Sequence, residues 1–223
     1  MYKLCFALIF LLAREVAAPA VSVLPPMTIF ENDQVRVIRT LEKPHVKGKF
    51  HEHQMNRVMI YLQLGKQRFE YQDGRKPVIS EYEAGQVSWS AAEGMHSPEC
   101  LTDEPFNIVE VELKRPGTGK KIASSLDPLK IDPKDYKLEF ENDQVRVFRN
   151  RIGPNGTVPM HEHTLNRVNV FLTDQNVRST EPNGKTAIAQ HKAGEAIWSS
   201  PVTHMEQNLN DRPFEVITVE IKE

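Results

Sequence analysis

The sequence predicts an all-β protein of two tandem barrels produced by an internal duplication. Three observations carry this reading. The octapeptide FENDQVRV stands at 30–37 and again at 140–147, a shift of 140 − 30 = 110 residues. The same shift relates FHEHQMNRV at 50–58 to MHEHTLNRV at 160–168. Within each copy the apolar residues recur with a period of two, the period of a strand and not of a helix.

The strands follow in order. QVRVIRTL, RVMIYLQL, QVSWSAA and FNIVEVELK alternate or cluster β-branched and aromatic residues in the first copy. RVNVFLTD, EAIWSS and FEVITVEIK repeat the pattern in the second. Asn-Asp in FENDQVRV predicts a turn leading into an edge strand. Asp73-Gly74 and Asn183-Gly184 are dipeptides favoured in tight type I′ hairpins. Farther on the shift falls slightly, from Trp89 to Trp198 and from His96 to His204, as small loop deletions would cause. Many short strands with turn signals between them predict a sandwich or barrel per copy, each burying its own core.

Domain boundaries follow from composition. Residues 1–20 combine a positive start, the apolar run LCFALIFLLA and the small-x-small ending Ala18-Pro19-Ala20. That pattern predicts a secretory signal peptide and a periplasmic or secreted protein; an uncleaved N-terminal anchor is the alternative. The first domain is expected over 21–113 and the second over 138–223. The segment 114–137, rich in Pro, Gly, Lys and Ser, reads as a linker with one helical turn. With 28 Lys+Arg against 30 Asp+Glu and no basic run, a nucleic-acid partner is not expected, nor is a membrane once the signal is removed. Cys5 would leave with the signal, so Cys100 alone would remain and no internal disulfide could form.

The chain has eight histidines. Six fall at equivalent places in the two copies: His51, His53 and His96, then His161, His163 and His204. Residues i and i+2 of a strand share a face, so each His-x-His pair projects together. A third imidazole from a later strand can close a site for one divalent transition metal per domain. His45 and His191 have no counterparts.

These residues resemble the motifs of the cupin superfamily, and the chain is similar to a two-domain bicupin. The family's first motif places His-x-His before a Glu; its second runs from Gly through Pro-x-Gly and His to Asn. Here Gly85 to His96 keeps the second spacing, with Ala91 and Glu93 at the Pro and Gly places and Cys100 at the Asn place. Gly194 to His204 is one residue shorter and keeps Asn208. The resemblance implies two double-stranded β-helix (jelly-roll) barrels, a homodimer as the expected assembly, and a metal in each barrel: iron or manganese first, zinc, nickel and copper as alternatives. The family's glutamate ligand is absent from both copies. Its place holds Arg57 or Val58 and Arg167 or Val168, which leaves a three-histidine site with open positions. Asn56 and Asn166 are assigned to turn or supporting roles.

Two readings of Arg57 and Arg167 stay open. Facing the lumen, each would contact the anionic part of a metal-bound substrate. Facing outward, each would pair with a glutamate of its own copy. Alternation favours the outward reading, because Val168, Val170 and Leu172 form the apolar face opposite Arg167 and Asn169. Lys49 shares the face of His51, Pro159 holds that place in copy two, and Trp89 and Trp198 read as core. Cys100 is either a buried small hydrophobe or a thiol near the metal. Asn155-Gly156-Thr157 fits a glycosylation pattern.

The function expected is that of a metal-dependent oxygenase-type enzyme acting on a small organic acid, diketone or phenolic compound, with decarboxylation or isomerisation next. The alternative is a non-catalytic module holding a metal or small ligand. If a single site works, the second is favoured, because it keeps more of the family pattern.

Overall fold

A computed structural model describes residues 26–222. The expected signal segment lies outside these. The first lobe contains β1 (Met27–Glu31), β2 (Val35–Glu42), β3 (His51–His53), β4 (Arg57–Tyr61), β5 (Gly65–Tyr71), β6 (Val78–Tyr82), β7 (Val87–Ser90), β8 (Glu93–Cys100) and β9 (Phe106–Leu113). A four-residue helix, α1 (Pro128–Ile131), follows. The second lobe contains β10 (Tyr136–Glu141), β11 (Val145–Ile152), β12 (Thr157–His163), β13 (Arg167–Phe171), β14 (Gln175–Thr180), β15 (Thr186–His191), β16 (Ala196–Ser199), β17 (Val202–Asn208) and β18 (Phe214–Ile221). Among the described residues no helix is long and apolar enough to cross a membrane.

Each lobe is a two-sheet barrel. The first lobe has a five-stranded sheet in the order β1-β2-β9-β4-β7 and a four-stranded sheet β3-β8-β5-β6. The second repeats both as β10-β11-β18-β13-β16 and β12-β17-β14-β15. All pairings are antiparallel, which gives the jelly-roll arrangement expected from the sequence.

The largest core does not lie inside either barrel. It joins Val35, Val37, Val58, Ile60, Val109, Val111 and Leu113 of the first lobe to Val145, Val147, Val168, Val170, Ala196, Ile217, Val219 and Ile221 of the second. The two five-stranded sheets therefore pack face to face, and the expectation of two self-contained cores is corrected. Trp89 and Trp198 pack against this cluster, and Trp89 meets Phe140 across it. Each fully buried Val, Leu or Ile contributes roughly 1.5–3 kcal/mol, so neither lobe's valine face can be left in water cheaply.

The contacts across the interface are reciprocal, and they account for much of the repeated octapeptide. Asn56 Nδ2 donates to Gln144 Oε1 (2.5 Å), and Asn166 Nδ2 donates to Gln34 Oε1 (2.9 Å). Arg39 donates to the Gly194 carbonyl, and Arg149 to that of Gly85. Asn32 and Asn142 cap the turns into β2 and β11 by accepting from the backbone N–H groups two and three residues on. The edge strands are the preceding β1 and β10.

Two local expectations change. Asp73-Gly74 and Asn183-Gly184 sit in connections of 72–77 and 181–185, longer than two-residue hairpins. Gly74 and Gly184 take positive φ there, while Asp73 and Asn183 accept from the N–H two residues ahead. The linker is anchored to the second lobe: Asp127 caps α1 and is buried against Arg146 at 2.8 Å. β10 begins at Tyr136, within the expected linker.

Candidate metal centres

The paired sheets decide where each side chain points. Along β4, Val58 and Ile60 enter the inter-lobe core, so Arg57, Met59 and Tyr61 face the lumen. Along β13, Val168 and Val170 take the interface, and Arg167, Asn169 and Phe171 the lumen. The apolar face seen in the sequence is thus the one covered by the other lobe. The outward reading of Arg57 and Arg167 is corrected: both are buried beside the histidines.

Opposite them, β3 pairs with β8 and β12 with β17, which sets His51 across from His96 and His161 across from His204. In each triad one nitrogen per imidazole lies within 4.8 Å of the other two. His51 Nε2 and His53 Nε2 are 3.1 Å apart, a separation that suits two ligands of one cation with metal–nitrogen bonds of about 2 Å.

The supporting contacts fix which nitrogens face inward. His51 Nδ1 lies 2.9 Å from the Lys49 carbonyl and His96 Nδ1 2.9 Å from that of Gly94. His161 Nδ1 lies 2.9 Å from the Pro159 carbonyl. A carbonyl can only accept, so Nδ1 carries the proton and Nε2 keeps its lone pair. In the second lobe the carboxylate of Glu220 accepts from His163 Nδ1 at 3.1 Å, and Ser179 Oγ meets His204 Nδ1 at 3.0 Å. His204 Nε2 is buried with no hydrogen-bond partner. This donor set fits a divalent cation: five of the six imidazoles are anchored through Nδ1, and one nitrogen of each ring in a triad lies close to those of the other two.

Burial favours the neutral form of five of the six histidines. Burial, reinforced by the Arg57 guanidinium, pushes His53 down to about 3. Burial and then Arg167 push His204 down to about 4, and His163 falls well below its ordinary value for the same reasons. Burial also lowers His96 and His161. Neutral imidazole is the form that binds metal.

The arginines differ. Arg57 Nε lies 3.3 Å from Glu110 Oε2, an acid of its own copy that also accepts from Thr40 at 2.7 Å. Arg57 Nη1 is buried without a hydrogen bond. Arg167 Nη1 donates to the Ser200 carbonyl at 2.6 Å, and Glu206 and Glu220 are its counter-charges. Glu110, Glu206, Glu220 and Ser179 were not singled out from the sequence. Glu112 and Glu220 occupy matching places in the two copies and both pair with a repeated arginine, Arg36 and Arg146; that repetition was the available signal.

The first triad opens on a cavity of roughly 660 Å³. Its lining includes Arg57, Glu110, Phe69, Tyr71, Tyr61 and Tyr82. In the second lobe Tyr136, Phe148, Ile152, Val158, Phe171, Val177, Phe214 and Val216 form a buried cluster, and His161, His163 and His204 are all buried, at 0%, 4% and 7% exposure. The cavity is therefore in the lobe opposite to the one the sequence favoured. Of the remaining residues, Lys49 lines the cavity, and Glu52 and Glu162 accept from Gln54 and Ser124 instead. Cys100 is fully buried in the core with Met59, Tyr61, Phe106 and Ile108.

No family model matches the chain, and no curated protein does. Solved structures match along most of its length. AerE from Microcystis aeruginosa is 16% identical, with a TM-score of 0.60 over 89% of this chain and 97% of that one. A cupin 2 conserved barrel domain protein from Leptotrichia buccalis is 12% identical, with a TM-score of 0.54 over 89% and 88%. An oxalate decarboxylase from Lactobacillus farciminis is 12% identical, with a TM-score of 0.58 over 86% and 78%. At these identities the likeness is one of fold alone: two cupin-type barrels in tandem. The chain is a bicupin in architecture.

Proposed function

We propose that the protein is an exported, metal-dependent bicupin that binds a small organic anion in its N-terminal lobe and turns it over in an oxygenase-type reaction. The observation that carries this reading is the first triad opening on a cavity that also holds the unsatisfied Arg57 Nη1. His51, His53 and His96 would hold a divalent metal, iron or manganese first; a fold neighbour, the Bacillus subtilis oxalate decarboxylase, is described with Mn(II) centres. A bound metal would supply Lewis acidity and, as iron, redox chemistry with dioxygen. Arg57 would orient a carboxylate or enolate through its free N–H, and Glu110 balances its charge when no ligand is present. Tyr61, Tyr82, Phe69 and Tyr71 would exclude water around the apolar body of an acid, diketone or phenolic compound. The segment 1–20 supports export to the periplasm or outside the cell.

In the second lobe we propose a structural metal on His161, His163 and His204. Its buried ligands and aromatic-filled lumen favour stability over turnover.

Oxygen uptake by protein reloaded with Fe(II), screened against small acids, diketones and phenols, tests the assignment. Uptake lost in Arg57→Ala and retained in Arg167→Ala supports it. No uptake with any compound, with metal still bound, favours a binding module without turnover.

A further inference from the structure

The cavity holds a second polar group far from the triad. Glu42, on the lumen face of β2, accepts from Gln67 Nε2 at 2.8 Å through Oε1. Its Oε2 is buried without a hydrogen-bond partner. Both residues line the cavity, as do Tyr61 and Tyr82, which stack with ring centroids 4.0 Å apart. The β5–β8 register sets Tyr71 across from His96 and Gln67 across from Cys100. Gln67 is thus four residues down β5 from the triad, about 13 Å at the usual strand rise.

The second lobe shows that the barrel does not need this pair. At the shift of 110, Glu42 corresponds to Ile152 and Gln67 to Val177, and both apolar residues lie in the buried lumen cluster. Replacing a well-packed aliphatic pair by a half-satisfied carboxyl is unfavourable for folding. A ligand that completes the hydrogen bonding accounts for it.

We propose that Glu42, held by Gln67, is the docking point for a hydroxyl group at the far end of a ligand whose acidic end meets the N-terminal triad and Arg57. The inference rests on the cavity being a ligand site, as proposed above, and adds the substrate class: a hydroxylated aromatic acid. Burial raises the Glu42 carboxyl to about 7, against the Gln67 hydrogen bond and with Glu110 adding to the rise. Near neutrality both protonation states are populated. A hydroxyl donates to the ionised form and accepts from the neutral one, whereas an ammonium pairs only with the former and a carboxylate only with the latter. The stacked tyrosines suit a flat ring between the two ends.

Calorimetric titration of Mn(II)-reloaded protein with 4-hydroxycinnamate and with cinnamate tests this. The expected result is binding of both, with the hydroxylated acid at least tenfold tighter. The double variant Glu42→Ile, Gln67→Val installs the second lobe's pair; its melting temperature should equal or exceed that of the wild type, and it should keep its affinity for cinnamate and lose the tenfold preference. Equal affinities in the wild type, or a preference that survives in the variant, would overturn the anchor while leaving the cavity as a ligand site. If neither acid binds metal-bearing protein, the cavity reading itself falls, and the anchor with it.

Discussion

The two lobes share a fold, a histidine triad and a buried arginine, yet one lumen is hollow and the other is full. The difference lies in a few side chains at matched positions. Pro26, Ile38, Glu42, Gly48 and Gln67 of the first lobe stand where the second has Tyr136, Phe148, Ile152, Val158 and Val177. Trading rings and aliphatic groups for smaller or polar ones empties the lumen above the first triad. In the second, Tyr136 reaches the site itself, its hydroxyl 3.3 Å from His161 Nε2. Duplication gave two equivalent scaffolds; lumen volume separates a ligand site from a packed one.

The strongest way to break the comparison is to separate the lobes. Each depends on the other to cover its valine face, so either lobe expressed alone should aggregate or lose cooperative unfolding. Size-exclusion chromatography and a denaturant titration check this, and a monomeric, cooperatively folding single lobe would contradict the shared core.

Metal removal comes next. At metal concentrations 100–1,000 times Kd, a site that binds only the folded state adds about 3–4 kcal/mol. Chelation should therefore lower Tm. His204→Ala should remove most of that stabilisation from the second lobe, while His96→Ala should abolish ligand binding; calorimetry reads both.

Acid should act through both triads, since His53 is depressed as well as His204, and the more deeply buried second lobe gives the clearer readout. An unfolded histidine titrates near 6.5, and His204 is held at about 4 in the folded chain. Between those values the unfolded state binds more protons, so stability rises with pH and is lost as pH falls from 6.5 toward 4. For His204 alone the loss is about 3 kcal/mol, and His163 adds in the same direction. Urea titrations of metal-free protein at pH 7 and pH 4.5 measure it; His204→Asn should show a shallower slope.

A gentler change swaps one lumen residue between lobes. Ile38→Phe places the ring of Phe148 in the first cavity. Metal content should stay unchanged while affinity for a cavity ligand drops at least tenfold. The smallest effect is expected at the interface rim, where Asn56→Ala removes the bonds to Gln144 and to the Ala92 N–H, at about 1–2 kcal/mol by denaturant titration.

Much of this architecture was legible in the sequence. Period-two strands and the repeat at 110 carried the all-β duplication, and the spacing of six histidines carried both triads. Alternation also separated the two faces of RVNVF correctly. It could not say what covers each face, because a valine row reads the same against a barrel core and against a second sheet. Arg57 and Arg167 were therefore turned the wrong way. The hollow lumen depends on side-chain volume at aligned positions, such as Gly48 against Val158, which a search for motifs passes over. Glu110 and Glu42 belong to the same class: acids on strands whose environment only the packed barrel defines.

The most direct test counts metal in protein purified without affinity tag or chelator and reloaded with Mn(II) or Fe(II). Mass spectrometry should find two ions per chain in the wild type, and one in each of the variants His51→Ala, His53→Ala and His161→Ala, His163→Ala. A wild type that holds none, or variants that hold as much as the wild type, would show that the imidazoles do not form the sites described.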